Sequence, residues 1–149
     1  MNLLREQGSV SARALEFTIL TACRTSEVLG ARWEEIDLEA KVWTVPASRM
    51  KMRREHRVPL SDRAMQILHE MQTILLDSGG LVFPGQRQGK PLSNMSFLML
   101  LRRLGQTDIT PHGFRSSFRD WAGNETHFPR ETCEKRRVLM EKWAEFCEG

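Results

Sequence analysis

The sequence has no tyrosine, few cysteines and no long apolar run. Without tyrosine, its 149 residues hold no phenolic hydroxyl that could serve as a nucleophile. The three cysteines, Cys23, Cys133 and Cys147, are odd in number and widely spaced, which indicates neither a disulfide framework nor a zinc site. No stretch approaches the roughly 18 uncharged residues of a membrane span, and the first residues lack the apolar core of a signal peptide. We therefore expect a soluble protein that is not exported and that resides in a reducing cytoplasm.

The length and the charge distribution indicate the number of domains and the kind of partner. A chain of 149 residues with 40% hydrophobic content is sufficient for one domain with a single buried core. The formal net charge is only +3, but basic residues cluster in residues 49–57, in Arg102-Arg103 and in Lys135-Arg136-Arg137. Such clusters indicate an anionic partner.

The start of the chain predicts two helices joined by a turn that contains Arg24. Ser9 precedes apolar residues at helical spacing, which predicts a helix over residues 12–23. Thr25-Ser26-Glu27 offers hydroxyl caps and an early acid for a second, short helix that ends near Gly30. Arg24 then lies at the turn between the two helices.

Three short β-rich segments follow, over residues 36–38, 42–45 and 56–60. They are separated by polar connections, which is typical of a small antiparallel meander. Lys51 falls on the connection between the last two strands, within the basic cluster of residues 49–57.

The remaining sequence predicts helices. Ser61 is expected to cap a long amphipathic helix whose apolar face includes Leu75 and Leu76 and which stops at Gly79-Gly80. Similar signals predict helices from Ser93 to Leu104, from Pro111 onward, and over residues 135–147. The predicted fold class is mainly α with a small antiparallel β-sheet (α+β).

Four residues offer the chemistry that transfer at a phosphodiester requires. The non-bridging oxygens of the transition state carry extra negative charge, and planar guanidinium groups meet those oxygens bidentately. Arg24 and Arg115 could do so, and His112 lies three residues before Arg115 on the same helical face. Lys51 could protonate the leaving oxygen as a general acid.

Each of these residues also has an ordinary structural explanation. Arg24 could be a helix-end arginine, and His112 could be a capping histidine. Arg115 could be an exposed ion-pair partner, and Lys51 could be one charge of a solvated hairpin. Glu27 could orient an arginine or serve a helix N-terminus.

Four segments together resemble the tyrosine recombinases, and among these the prophage integrases. The resemblance runs in order from about Leu15 to Glu134, which makes it more specific than any one motif. The segments are Leu20-Thr21-Ala22-Cys23-Arg24-Thr25-Ser26-Glu27-Val28, Trp33-Glu34-Glu35-Ile36-Asp37-Leu38, Met50-Lys51 with His56-Arg57-Val58-Pro59-Leu60-Ser61, and His112-Gly113-Phe114-Arg115.

This resemblance implies the fold of a recombinase catalytic domain and a set of catalytic residues. Arg24 matches the first catalytic arginine, Lys51 the hairpin lysine, and His112 and Arg115 the His-x-x-Arg pair. Glu27 matches an acidic position beside the first arginine. In the family, this set binds the scissile phosphate of double-stranded DNA while a tyrosine attacks it, without a metal or another cofactor.

The sequence departs from the family near its end. After Phe128-Pro129-Arg130-Glu131-Thr132-Cys133-Glu134, a family member would continue into a second histidine or tryptophan and the helix with the nucleophilic tyrosine. Here Lys135-Arg136-Arg137 follows directly. We therefore expect residues 1–149 to be a single catalytic domain that is internally shortened near Glu134/Lys135, without core-binding or arm-binding domains.

Three classes of function remain open at this stage. The first is an integrase catalytic domain that binds attachment-site-like DNA but has lost strand cleavage. The second is a non-catalytic DNA-binding module that depends on Arg53, Arg54 and Arg57 more than on Arg24 and Arg115. The predicted DNA-binding residues of the chain are Arg49, Arg53, Arg54 and Arg57. The third is a protein-interaction module with basic surfaces. In each of them the C-terminal helix could mediate self-association, and the missing segment would expose apolar surface.

Overall fold

The computed structural model describes residues 1–74, 79–87, 89–125 and 133–149. These residues form seven α-helices around a three-stranded antiparallel sheet, which confirms the predicted fold class. The helices are α1 (Asn2–Arg5), α2 (Val10–Thr21), α3 (Thr25–Leu29), α4 (Asp62–Ile74), α5 (Asn94–Arg103), α6 (Pro111–Glu125) and α7 (Cys133–Glu148). The strands are β1 (Ile36–Asp37), β2 (Val42–Val45) and β3 (His56–Pro59).

Helix α2 is the centre of the fold. It is buried on nearly every face and packs against all six other helices, as expected for a helix that is apolar all round. The Ser9 hydroxyl caps it by accepting a hydrogen bond from the Ala12 backbone N–H at 3.2 Å, as predicted. The helix ends at Thr21, two residues earlier than predicted, because Ala22 adopts the left-handed conformation with φ +51°.

The sheet confirms the predicted meander, with the strand order β1-β2-β3. Trp43 of β2 lies opposite Ile36 of β1 and Val58 of β3. Its indole ring is fully buried and lies 5.6 Å from the ring of Phe17 in α2. The sheet is thereby packed onto the central helix, and the connection between β2 and β3 extends from one end of it.

Helices α4, α5 and α6 begin where the sequence predicts. The Ser61 hydroxyl accepts from the Ala64 backbone N–H at 3.3 Å, and Pro111 is the first residue of α6. Ser93 occupies the N-cap position of α5, but its hydroxyl pairs with that of Ser96 instead of capping a backbone N–H. The predicted apolar residues Leu75 and Leu76 lie outside the described residues.

Helix α7 packs on its own domain, against α2 and β3. The buried indole of Trp143 donates a hydrogen bond to the carbonyl oxygen of Ile19 at 2.7 Å. Near the end of α7, Glu148 pairs with Arg5 of α1 at 2.7 Å. No described helix is both long enough and apolar enough to cross a membrane.

A buried carboxylate joins α1, α2 and α4. Glu16 is fully buried, and Arg63 binds both of its oxygens, at 2.8 and 3.0 Å. Arg5 and Arg13 contact the same carboxylate at 3.3 and 3.4 Å. The hydrogen bond from Arg63 to Glu16 also raises the pKa of that guanidinium. Three helices therefore depend on one negative charge.

We expect Glu16→Gln to lower the free energy of unfolding by about 3 kcal/mol, because it removes the fully buried carboxylate that three guanidinium groups share and leaves only Glu70 and Glu148, among the described residues, to compensate them. Urea denaturation measures this change. Lys41→Gln is the matched control, since it breaks the exposed Lys41–Asp62 pair and should cost at most about 1 kcal/mol. Equal losses in the two variants would contradict the structural role of Glu16.

Candidate functional site

Arg24 is held in place by Glu27 at the turn between α2 and α3. The Arg24 backbone N–H donates to Glu27 Oε2 at 3.0 Å, and Arg24 Nη1 donates to Glu27 Oε1 at 2.8 Å. The predicted hydroxyl caps are wrong, because Arg24 is the N-cap residue and the Glu27 carboxylate takes the capping role from Thr25 and Ser26. Glu27 is only 3% exposed, whereas the Arg24 side chain is 39% exposed. The guanidinium is therefore anchored on one side and open to solvent on the other.

Arg49 secures this arrangement from the connection between β2 and β3. Its Nη1 donates to the carbonyl oxygen of Glu27 at 3.0 Å, and its Nη2 pairs with Glu35. The same Glu35 carboxylate accepts from the indole N–H of Trp43 at 3.0 Å. Arg49, one of the four arginines predicted to contact DNA, is thus turned into the protein.

The charges of Arg115 and Arg24 both act on His56. Arg115 is on the second turn of α6, and His56 is the first residue of β3, opposite Val45. Burial lowers the pKa of His56, and the charges of Arg136, Arg115 and Arg24 lower it further, while Glu27 opposes them. We call Arg24, Arg115 and His56 the arginine patch. It is a region of positive potential that favours a neutral imidazole and an anionic ligand.

Cys23 lies beside this patch but offers no reactive thiolate. Burial, followed by the charge of Glu27, raises the pKa of Cys23 to about 12. A thiol of this kind stays protonated at neutral pH and is a poor nucleophile.

Lys51 and His112 occupy exposed positions outside this patch. Lys51 is in the turn between β2 and β3, and His112 is in the first turn of α6. Within the described part of the chain, neither side chain forms a hydrogen bond or an ion pair. Arg24 and Arg115 therefore act on a common residue, His56, whereas no contact within the described part of the chain joins Lys51 or His112 to them.

The other predicted DNA-binding residues are exposed. Arg53 and Arg54 lie in the turn near Lys51, and Arg57 is on β3. Arg53 adopts the left-handed conformation with φ +49°. We call these three exposed guanidinium groups the basic rim.

His56 is the residue that sequence reasoning missed. It lies within one of the segments that resemble the family, at the end of the basic cluster and at the start of a strand, but none of these signals assigns it a role. No local pattern could show that the charges of Arg136, Glu27, Arg115 and Arg24 act on its imidazole, because these residues are distant from His56 in the sequence.

Comparison with known proteins places these features in a family. The profile of the phage integrase family matches residues 1–126. Prophage integrase IntA of Escherichia coli K12 is 38% identical over 139 residues, which cover 90% of this chain and 33% of IntA. Prophage integrase IntZ of the same strain is 44% identical over 119 residues, or 77% of this chain and 29% of IntZ. This chain thus spans about a third of the length of these curated relatives.

A third relative is the integrase of Enterobacteria phage P4. It is 31% identical over 180 aligned positions, which cover 94% of this chain and 41% of that protein. The alignment is longer than the 149 residues of this chain, so the phage protein has positions without a counterpart here.

Solved structures show the same fold. The Tn1549 transposon integrase, in complex with transposon right end DNA, has a TM-score of 0.64 at 15% identity. The match covers 87% of this chain and 50% of that one. The XerA recombinase has a TM-score of 0.60 at 13% identity, with 95% of this chain and 60% of that one covered.

The environment of His56 predicts a specific pH dependence. We expect its pKa to lie below the ordinary 6.5, so the unfolded chain takes up this proton first as the pH falls. The free energy of unfolding should therefore decrease from about pH 6.5 down to the pKa of the folded state. NMR titration measures the pKa, and His56→Gln both assigns the resonance and should remove this part of the pH dependence. A pKa at or above 6.5 would contradict the positive potential of the patch.

Proposed function

The chain belongs to the phage integrase family, and from that membership we propose that its 149 residues bind double-stranded DNA as the catalytic domain of a site-specific recombinase does. The observation that carries this proposal is the exposed guanidinium of Arg24, already oriented by the buried Glu27, together with Arg115 on α6, a helix that packs against α2. The relatives are integrases, and the integration and excision of DNA at attachment sites is the parent activity that we assign to this domain.

The arginine patch suits a backbone phosphate. A guanidinium can form two parallel N–H···O bonds with phosphate oxygens, and an arginine fixed in advance loses little side-chain entropy on binding. Glu27 supplies this fixation for Arg24, since it occupies one edge of the guanidinium and leaves the rest exposed. Arg115 adds a second positive charge that no described carboxylate neutralises.

The basic rim extends the contact along the duplex. Arg53, Arg54 and Arg57 are exposed, so they are free to meet neighbouring phosphates. Lys51 lies beside them and retains its proposed role as a general acid. His112 retains its proposed place next to Arg115. Arg49 is a positioning residue in this proposal, because its guanidinium binds Glu35 and the Glu27 carbonyl.

We further propose that these residues bind DNA without cleaving it. They include no tyrosine, and the Cys23 thiol is buried and protonated. The Ser117 hydroxyl donates to the Gly113 carbonyl at 3.1 Å, and no base among the described residues contacts it. We also propose an internal shortening near Glu134 and Lys135, where the sequence departs from the family pattern. With DNA as the partner, we propose the bacterial cytoplasm as the location of the protein.

The test is fluorescence anisotropy with a duplex across a salt series. In Arg24→Gln/Arg115→Gln, we expect the slope of log K against log [salt] to decrease by about 1.8, since each lost phosphate contact contributes about 0.9. The affinity should fall at least tenfold at low salt. Circular dichroism checks that the variant is folded.

Two further variants sharpen this test. Arg102→Gln/Arg103→Gln removes the same charge from the end of α5 and should leave most of the slope in place. Arg53→Gln/Arg54→Gln/Arg57→Gln tests the basic rim alone. If only the rim variant weakens binding, the chain is a basic DNA-binding module and not a recombinase-type phosphate site. Absence of DNA binding by the wild-type chain would leave a protein-interaction module.

Strand cleavage has its own test. With a nicked duplex that traps covalent recombinase intermediates, we expect no protein-DNA adduct that survives detergent, because the nucleophilic hydroxyl is absent. A tyrosine-containing relative serves as the positive control under the same conditions. Recovery of an adduct from this chain would show that another residue performs the attack.

A further inference from the structure

Arg49 connects two parts of the fold that are distant in the sequence. It is the last residue of a short 3₁₀-helix, Ala47–Arg49, and precedes Lys51 by two residues on the β2–β3 connection. Its Nη2 pairs with Glu35, and its Nη1 donates to the carbonyl oxygen of Glu27 at 3.0 Å. Its Nε is buried without a hydrogen-bond partner among the described residues. The two amino groups therefore make the polar contacts that hold this guanidinium in the described part of the chain.

Gly30, the residue that ends α3, leaves the space that the Arg49 guanidinium occupies. A Cβ atom on Gly30 would lie 2.5 Å from Arg49 Nη1 and 3.6 Å from Arg49 Cζ. The first distance is far shorter than an ordinary contact between two heavy atoms. The nearest backbone atom, the carbonyl oxygen of Ser26, would be 3.4 Å away. A side chain at position 30 therefore competes with Arg49 for the same space.

The backbone of Gly30 does not itself require glycine. Its φ of −92° and ψ of 6° lie in a region that residues with a side chain also adopt. An alanine at this position is thus compatible with the end of α3, and it would displace the end of the Arg49 side chain instead. What this position requires is room for Arg49.

The position of Arg49 determines where the cations of the β2–β3 connection lie. The Met50 backbone N–H donates to the carbonyl oxygen of Ala47 at 3.1 Å, and the Arg53 backbone N–H donates to that of Met50 at 2.9 Å. These two closed turns leave the short segment from Arg49 to Arg53 little freedom of its own. Its orientation relative to the rest of the domain therefore depends on the contacts of the Arg49 guanidinium.

The same guanidinium connects this segment with Arg24. Glu27 accepts from Arg49 at its backbone carbonyl and from Arg24 at its carboxylate. Lys51 and the basic rim are thereby held in a fixed relation to Arg24. Cations that are fixed in this way before DNA arrives bind more tightly, because side chains that must be ordered on binding reduce the affinity.

We propose that Gly30 is a positioning residue of the DNA-binding site, because its missing side chain admits the Arg49 guanidinium that holds the β2–β3 connection next to Arg24. This inference rests on the proposed DNA-binding function and adds a requirement to it. The affinity for DNA depends on a residue that acts through Arg49 and contributes neither a charge nor a hydrogen-bonding side chain.

The experiment compares Gly30→Ala with Gly8→Ala in duplex binding, followed by fluorescence anisotropy across the same salt series. We expect Gly30→Ala to weaken binding about fivefold at low salt, because the cations of the connection must then be ordered on binding. The salt slope should stay unchanged, since every phosphate-binding cation remains. Gly8→Ala is the matched control, because no atom lies within 4 Å of its added Cβ, and it should bind as the wild-type chain does. Circular dichroism and thermal melting check that both variants are folded.

A double-mutant cycle shows whether Gly30 acts through Arg49. Arg49→Gln should weaken binding to a similar extent as Gly30→Ala, again without a change in slope, because this guanidinium is turned into the protein. Gly30→Ala/Arg49→Gln should bind no more weakly than Arg49→Gln alone, since the group that the alanine displaces is already absent. Losses that multiply in the double variant would show that Gly30 acts by another route.

NMR of the Trp43 indole N–H gives a second readout that does not require DNA. This N–H donates to the Glu35 carboxylate that also pairs with Arg49. We expect Gly30→Ala to shift the Trp43 signal, which Trp43→Phe assigns, whereas Gly8→Ala should leave it in place. In the Arg49→Gln background, Gly30→Ala should cause no further shift. An unchanged signal in Gly30→Ala would show that Arg49 keeps its position and would overturn the inference.

The outcomes separate the two proposals. If the wild-type chain binds DNA through Arg24 and Arg115, but Gly30→Ala binds as Gly8→Ala does, the inference about Gly30 is wrong and the proposed function stands. If the wild-type chain binds no DNA, the proposed function fails and the inference fails with it. If Gly30→Ala shifts the Trp43 signal and weakens binding at an unchanged slope, and the double variant adds no further loss, the inference is confirmed.

Discussion

The buried carboxylate of Glu27 organises the site by binding Arg24 twice, once at the backbone and once at the side chain. The first bond caps α3 and the second directs the guanidinium, so the same group determines where the helix begins and where the positive charge points. Arg49, on the β2–β3 connection, donates a hydrogen bond to the Glu27 carbonyl and thereby links the sheet to this turn. Without this carboxylate, neither α3 nor Arg24 would have a fixed orientation.

The arginine patch has a positive potential because few of the described carboxylates lie near it. On the far side of α2, Glu16 compensates three arginines and joins three helices, so charge there serves stability. At His56, the charge of Glu27 opposes those of Arg136, Arg115 and Arg24, which lower the pKa of the imidazole. The fold therefore neutralises charge where helices pack and leaves positive charge in excess at the arginine patch.

Local signals in the sequence predicted the elements well. Ser9 and Ser61 act as caps within three residues of the groups they bind, and the meander followed from short β-rich segments. The prediction of a hydroxyl cap for α3 was wrong. Arg24 is the N-cap residue, and the carboxylate of Glu27, three residues later, takes the capping role from the hydroxyls of Thr25 and Ser26. Which of these groups caps the helix depends on their burial, and burial cannot be read from the sequence.

The site was harder to predict than the fold. Arg24, Glu27 and Arg115 stood out by spacing and by family resemblance. Arg49 and Arg53 belong to the same basic cluster, yet Arg49 turns inward because Glu35 and the Glu27 carbonyl lie within its reach. The environment of His56 likewise depends on α7, which is far away in sequence. Residues of the same type therefore have different roles, which depend on contacts with residues that are distant in the sequence.

The Arg5–Glu148 pair also bears on how this domain could be rebuilt. It places the first helix and the last helix side by side, with 2.7 Å between the charged atoms. Polypeptides whose ends are neighbours tolerate circular permutation. A short glycine-rich linker could therefore join residue 149 to residue 1, with new termini opened at the exposed turn around Gly105. Such a permuted chain would carry α7 as an internal element, tethered at both ends beside the site.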